Sequence, residues 1–184
     1  GVAQLAGEEV DEQARDVDAA LASLLPKHRR NPEGAGNALA TLVRHPELTK
    51  AFLPYNVHVL FGSTLTPRQR EIAILRVAAL ADSPYEIEHH HGMGRALGMS
   101  DEEISDAHRG TATDPSKQLI LHAVGKLHTA STISHQTWTA LSAHLDERQL
   151  MDLVFTVGAY TTLAMAFNTF GIEPDRELQP EYER

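Results

Sequence analysis

Two glutamates and a histidine in this 184-residue sequence have the types and spacing that acid–base chemistry needs. Glu71 lies in a segment that is otherwise dominated by apolar residues. A carboxylate on a buried helix is costly unless it is paired, hydrogen-bonded or protonated. Glu86 and His90 follow four positions apart, which places them on one face of a helix. These three residues are therefore candidates for one site.

Three consecutive histidines, His89, His90 and His91, also suggest metal binding. His91 is rotated by roughly 200° from His89 about a helix axis, so the three cannot all point into one site. Glu71, Glu86 and His90 could in principle hold zinc, but no second ligand motif such as His-Glu-x-x-His is present. We therefore predict no metal and no cofactor, and we interpret His89 and His91 as surface or interface residues.

Each candidate also has a purely structural interpretation. Ser83 and Glu86 have the spacing of a capping box at the start of a helix. Glu71 could be a structural carboxylate paired with a neighbouring arginine, and His90 could be a satisfied core histidine. The sequence leaves these alternatives open.

Composition excludes several classes of function. The sequence has no cysteine, so it has no disulfide framework, no thiolate metal site and no thiol redox chemistry of its own. Its formal charge of −9 disfavours nucleic acid and anionic membranes as partners. No apolar run approaches the roughly 20 residues that span a bilayer. The first residues lack the basic and apolar regions of a signal peptide, so we expect a cytoplasmic protein.

Helix-start signals and helical spacing of apolar residues predict an all-α fold. The N-cap candidates are Thr66, Ser83, Ser100, Asp114 and Asp146. The predicted helices cover residues 10–24, about 39–43, 48–60, 67–80, 84–97, 101–108, 115–128, 135–144 and 147–170. The helix over 67–80 is apolar nearly all round and should be the buried central helix. No alternation of period two predicts a strand.

The last predicted helix, 147–170, is apolar on most sides and must be covered by other residues. A chain of this size can cover it internally or with a neighbouring subunit. We expect one domain over 1–184, with an N-terminal helix and linker over 1–36, a core over 37–175 and a polar tail over 176–184.

The spacing of the candidate residues resembles that of the carboxymuconolactone decarboxylase and alkylhydroperoxidase-D-like family. Members with peroxidase activity carry a glutamate, a Cys-x-x-Cys pair and a histidine four residues after the second cysteine. Here the glutamate corresponds to Glu71, the cysteines to Ser83 and Glu86, and the histidine to His90. The flanking segments 65–71 and 98–104 and the C-terminal stretches 157–160 and 168–171 are also similar, so the resemblance covers about residues 37–175.

The resemblance implies an alkylhydroperoxidase-D-like helical bundle that forms a homo-oligomer, commonly a trimer or hexamer. Because both redox cysteines are replaced, the hydroperoxide-reducing activity of the redox members does not carry over. The remaining pair, Glu71 and His90, resembles the arrangement in cysteine-free decarboxylase members.

We therefore predict a cofactor-independent acid–base enzyme, of decarboxylase type, that acts on a small carboxylated or lactone-like molecule. His90 would be the proton donor or shuttle, and Glu71 would orient it or raise its basicity. Glu86 would bind the substrate if protonated or tune His90 if ionised. The candidates for lining the pocket are Ser83, Tyr85, His58 and Tyr160. Isomerisation or hydrolysis would use the same residues, and the alternative from another class is a non-catalytic helical oligomer that binds a small ligand or a partner protein.

Overall fold

The computed structural model describes residues 15, 18–22, 24–30 and 34–175. Most of the predicted first helix and the predicted polar tail, 176–184, lie outside the described residues. The chain divides into two compact units, Gly1–Phe61 and Gly62–Arg184. The described residues are predominantly helical and contain no β-strand, so the predicted all-α fold is confirmed.

In the first unit, a short 3₁₀ turn at Lys27–Arg29 precedes two α-helices, α1 (Gly36–Leu42) and α2 (Pro46–Val57). Pro46 occupies the first turn of α2, where its missing N–H costs no helical hydrogen bond. Pro54 lies inside α2, and the helix passes into a π-helical turn, His58–Gly62, four residues later. A proline inside a helix removes a backbone hydrogen bond, and the π-helical turn is the irregularity that follows Pro54.

The second unit contains the six helices of the predicted central and C-terminal segments. They are α3 (Pro67–Leu80), α4 (Pro84–Ala96), α5 (Asp101–Arg109), α6 (Pro115–Ala130), α7 (His135–Ser142) and α8 (Glu147–Phe170). Thr66, Ser100 and Asp146 each form the predicted capping box. These boxes satisfy backbone N–H groups that have no partner inside the helix, which explains why the helix starts were predictable.

Helix α3 is the centre of the second unit. It packs against α4, α5, α6 and α8, and eight of its residues are buried. Because neighbours cover it on several sides, its apolar residues need not follow a single stripe. Two charged side chains of α3, Arg70 and Glu71, are consequently carried into the core.

The sequence analysis found no apolar run long enough to span a bilayer, and helix α8 qualifies that statement. Among the described residues, it is the one helix long and apolar enough to cross a membrane by length and composition. Half of its most apolar window is buried inside the protein, and it packs against α3 and α6. A core helix of a soluble protein meets the same criterion, so this helix is weak evidence for a membrane span.

The turn after α5 combines a backbone requirement with a close approach. Gly110 ends α5 with a φ of 80°, in the left-handed region. A Cβ atom at this position would lie 2.8 Å from Cζ of Arg76. Arg76, which reaches this turn from α3, donates a hydrogen bond from Nη1 to the carbonyl oxygen of His108 at 2.5 Å. Glycine at this position therefore permits the left-handed turn. It also leaves room for the Arg76 side chain, which donates a hydrogen bond to a carbonyl group at the end of α5.

Replacing Gly110 with alanine should destabilise the protein more than the same change at Gly171. Both glycines have positive φ, and alanine at such a position costs about 1 kcal/mol. At Gly171 nothing lies within 4 Å of the added Cβ. At Gly110 the arginine must move, and losing its hydrogen bond should cost about 1–2 kcal/mol more. Urea denaturation of the two variants measures the difference, and equal losses would contradict this account of the turn.

Candidate functional site

Helices α3 and α4 bring the two main candidates together. Oε1 of Glu71 forms a short hydrogen bond with Nδ1 of His90, and both side chains are buried. The expectation that a carboxylate on the central helix faces an imidazole on the next helix is therefore met. Because Nδ1 is held by the carboxylate, Nε2 is the ring nitrogen left for exchanging a proton with another molecule.

An arginine lies on the other side of the carboxylate. Nε of Arg70 is 4.0 Å from Oε2 of Glu71, at the limit of an ion pair, and the arginine side chain is only 11% exposed. The structural interpretation, in which Glu71 is paired with an arginine, therefore holds for Oε2 alone. The other oxygen contacts the imidazole, so Glu71 joins a cation on its own helix to His90 on α4.

Glu86 and Ser83 are buried at the beginning of α4. Neither the Glu86 oxygens nor the Ser83 hydroxyl has a hydrogen-bond partner among the protein atoms of the described residues. Burial raises the pKa of Glu86 well above its ordinary value of 4.5, because desolvation favours the uncharged carboxyl group. A protonated carboxyl can donate a hydrogen bond as well as accept one.

The predicted capping box between Ser83 and Glu86 is wrong. Ser83 is the N-cap residue of α4 by position, but its side chain makes no capping hydrogen bond. The physical reason is burial, since Ser83 is 0% and Glu86 1% exposed, and both side chains are taken into the interior instead of folding back along the helix end. Both polar groups are therefore left for another partner.

Helix α8 places aromatic rings against both His90 and Tyr85. The ring of Tyr160, on α8, meets the His90 ring edge-on with centroids 5.0 Å apart. Tyr85 packs edge-on against Phe167 at 4.9 Å, and its hydroxyl donates to Oδ2 of Asp175 at 3.1 Å. Of the predicted lining residues, Tyr160 thus touches His90, whereas Tyr85 lies one residue from Glu86 and contacts α8.

His89 was interpreted as a surface or interface residue, and the structure places its half-buried ring against two other rings. Its ring stacks on Tyr85 with centroids 5.8 Å apart and meets the His90 ring edge-on at 5.2 Å. Burial, followed by the charge of His90, lowers the pKa of His89 to about 3, so this imidazole remains neutral. The sequence did contain a signal for this stacking contact. His89 follows Tyr85 by four residues, which places the two rings on one helical face.

His58 begins a π-helical turn in the first unit, and its role in lining the pocket stays a prediction. One cavity of the second unit lies apart from the contacts described above. This cavity, of about 80 Å³, is found between α3, α5 and α6. It is lined by Ile72, Met99, Glu103, Asp106, Ala107, Thr111, Ala112, Thr113, Asp114, Lys117 and Leu121. The predicted site residues do not line this cavity.

One family model matches part of this chain. Residues 46–128 match the model of the carboxymuconolactone decarboxylase family. This segment contains Glu71, Ser83, Glu86 and His90. No curated protein has a matching sequence.

Solved structures with the same fold come from several bacteria. An uncharacterised peroxidase-related protein of Ralstonia eutropha JMP134, with an alkylhydroperoxidase AhpD core, is 20% identical with a TM-score of 0.70, over 77% of this chain and 78% of its own. A peroxidase-related protein of Silicibacter sp. TM1040 is 16% identical with a TM-score of 0.69, over 79% of each chain. A protein of unknown function from Agrobacterium tumefaciens, whose description suggests an antioxidant defence protein AhpD, is 19% identical with a TM-score of 0.65, over 73% of this chain and 94% of its own. At these identities the likeness establishes the fold.

The protonated state of Glu86 predicts how a glutamine at this position changes stability with pH. Above the ordinary pKa of 4.5 the unfolded chain loses this proton and the folded protein keeps it, so the stability of the wild type falls as pH rises towards the folded pKa. Glutamine cannot ionise. The free energy of unfolding of E86Q, relative to wild type, should therefore increase between pH 5 and pH 8.

Urea denaturation at the two pH values measures this difference. The matched control is E88Q, which changes an exposed glutamate on the same helix. A difference between E86Q and wild type that does not vary with pH, or varies as it does for E88Q, would contradict the assignment of a protonated buried carboxyl.

Proposed function

We propose that this chain, which belongs to the carboxymuconolactone decarboxylase family, is a cytoplasmic, cofactor-independent acid–base enzyme of decarboxylase type. Its substrate is a small carboxylated or lactone-like molecule. The observation that carries the proposal is the buried hydrogen bond between Glu71 and His90. A carboxylate that orients an imidazole is a recurring arrangement for moving protons near neutral pH.

Decarboxylation places two demands on such a site. When the bond to the carboxylate carbon breaks, carbon dioxide leaves and its electron pair remains on the substrate, where a conjugated carbonyl must delocalise it. The resulting dienolate then needs a proton. In this proposal Nε2 of His90 donates that proton, Glu71 holds Nδ1 while the ring changes its charge, and solvent restores the proton to the ring.

Glu86 and Ser83 supply the polar contacts with the substrate. A protonated Glu86 donates a hydrogen bond to a substrate oxygen and needs no cation for this. The Ser83 hydroxyl, buried three residues earlier, donates or accepts a second hydrogen bond. Tyr160 packs against His90 and limits the movement of its ring. Tyr85 completes the lining of the pocket in this proposal.

The buried groups of α4 also favour a ligand over a purely structural role. Buried polar side chains are normally hydrogen-bonded, and each one without a partner costs free energy. Glu86 and Ser83 lack protein partners in the described part of the chain, which a bound substrate would supply. A thiol peroxidase is not favoured, because neither residue is a cysteine and this sequence has none.

Substitution of His90 and of Glu71 by glutamine tests the reaction. Each variant should lose turnover of carboxymuconolactone, or of an active member of a panel of small lactone carboxylic acids, on the order of 10²–10⁴-fold. Release of carbon dioxide measures decarboxylation. Proton NMR in deuterated water detects solvent deuterium entering the product, which also reveals isomerisation by the same pair.

E88Q is the matched control, since it removes an exposed carboxylate from α4 and should leave turnover unchanged. Circular dichroism establishes that each variant is folded. Full turnover in both folded variants of the pair would exclude the mechanism. A wild type that turns over no member of the panel, yet binds one of them, would favour the non-catalytic alternative.

We further propose that the chain assembles as a homo-oligomer, a trimer or hexamer, through one face of α8. Large apolar residues on this helix are exposed in the single chain, namely Met151, Val154, Phe155, Met165 and Phe170. Gly158 and Thr162 lie between them on the same face and are also exposed, which would let a second backbone approach closely. Contiguous exposed apolar residues are typical of interaction surfaces.

A charge on this face should weaken the assembly. Met165, which is 59% exposed, lies near the C-terminal end of the face, and M165E would bury an unpaired carboxylate in the interface. Sedimentation velocity should show a smaller species than the wild type. Q136E adds the same charge at an exposed position of α7 and serves as the control. An unchanged assembly in M165E, or a monomeric wild type, would contradict the proposal.

A further inference from the structure

A second pair of histidines joins α4 to α5. Nε2 of His91 lies 3.0 Å from Nε2 of His108, and both side chains are half-buried. The two ring centroids are 4.6 Å apart, and the ring planes are inclined at 54°. The proposed acid–base site uses neither residue.

The distances in this pair match those of two imidazoles that share a metal ion. Two nitrogens bound to one zinc ion at about 2.0–2.1 Å lie about 2.9–3.4 Å apart for angles at the metal between about 90° and about 109°. The 3.0 Å separation of the two nitrogens falls in this range. A head-on hydrogen bond of the same length would place the ring centres about 5.3 Å apart, farther than the 4.6 Å found here. Each ring is therefore tilted away from the line that joins the two Nε2 atoms.

The surrounding charges affect an ion at this position in two ways. Arg95, near His91, is paired with Asp101 at 2.9 Å, so its charge is largely balanced. Arg76, near His108, is cationic and would weaken the binding of a cation. Burial is the main reason that the pKa of each histidine is lowered. Neutral imidazole is the form that binds metals.

We propose that His91 and His108 form a binding site for a divalent transition-metal ion of the class of Zn²⁺ and Cu²⁺. The protein supplies two ligands and water supplies the others, because no group of three histidine, aspartate or glutamate side chains in the described part of the chain could hold an ion. With two ligands and a nearby arginine, the affinity should lie in the micromolar range. The ion would connect α4, which carries His90, to α5.

Calorimetric titration of the whole chain, first treated with a chelator, tests the site. Wild type should bind one equivalent of Zn²⁺, bind Cu²⁺ more tightly, and bind Mn²⁺ more weakly than either. H91Q and H108Q should each weaken Zn²⁺ binding at least tenfold, because each removes one of two protein ligands. H128Q changes an exposed histidine of α6 and should bind as wild type does. H90Q should also retain the site, which separates it from the proposed acid–base pair.

Long-range proton–nitrogen NMR of the wild type provides a readout that does not depend on the folding of variants. Addition of Zn²⁺ should shift the Nε2 resonances of His91 and His108 and leave that of His128 unchanged. Resonance changes confined to other histidines, tenfold loss of binding in H90Q with none in H91Q, or no binding of Zn²⁺ and Cu²⁺ at micromolar concentrations would each overturn the proposal. The last result would leave the pair as a histidine–histidine hydrogen bond.

Discussion

The hydrogen bond between Glu71 and His90 is the interaction on which the arrangement of the second unit depends. Helix α3 is covered by four other helices, so its glutamate enters the core without access to bulk water. Removing a charged group from water costs several kcal/mol, and only a well-placed partner offsets this. The partner comes from α4, so the contact holds that helix against α3. The stability of the core and the geometry of the site therefore rest on the same contact.

The second buried carboxyl group, that of Glu86 on α4, shows the opposite situation. Glu86 lies one turn before His90, and no partner among the described residues satisfies its oxygens. Burial raises its pKa and favours the protonated form, whereas Glu71 is bonded to an imidazole and lies near an arginine. Two carboxyl groups in such different surroundings can take different roles, one orienting a proton donor and one donating a hydrogen bond. Stability lost at a buried polar group is commonly tolerated where a site requires it.

Local signals in the sequence account for the parts of the fold that were predicted correctly. Thr66, Ser100 and Asp146 satisfy backbone groups within their own helix starts, so a few neighbouring residues determine the outcome. The pairing of Glu71 with His90 was predictable because a carboxylate among apolar residues requires a partner. Ser83 has the same local pattern, but tertiary burial overrides the cap. The sequence could not reveal this, because the pattern contains nothing about which helices pack over it.

The three consecutive histidines show how helix geometry divides one stretch of sequence among several environments. Successive side chains on an α-helix are about 100° apart, so His89, His90 and His91 face different neighbours. His89 stacks on Tyr85, His90 bonds to Glu71 on α3, and His91 faces His108 on α5. Because α4 is one continuous helix, a rotation that improves one of these contacts displaces the others. The orientation of the imidazole at the proposed site is therefore determined by three contacts together, two of which the proton transfer itself does not use.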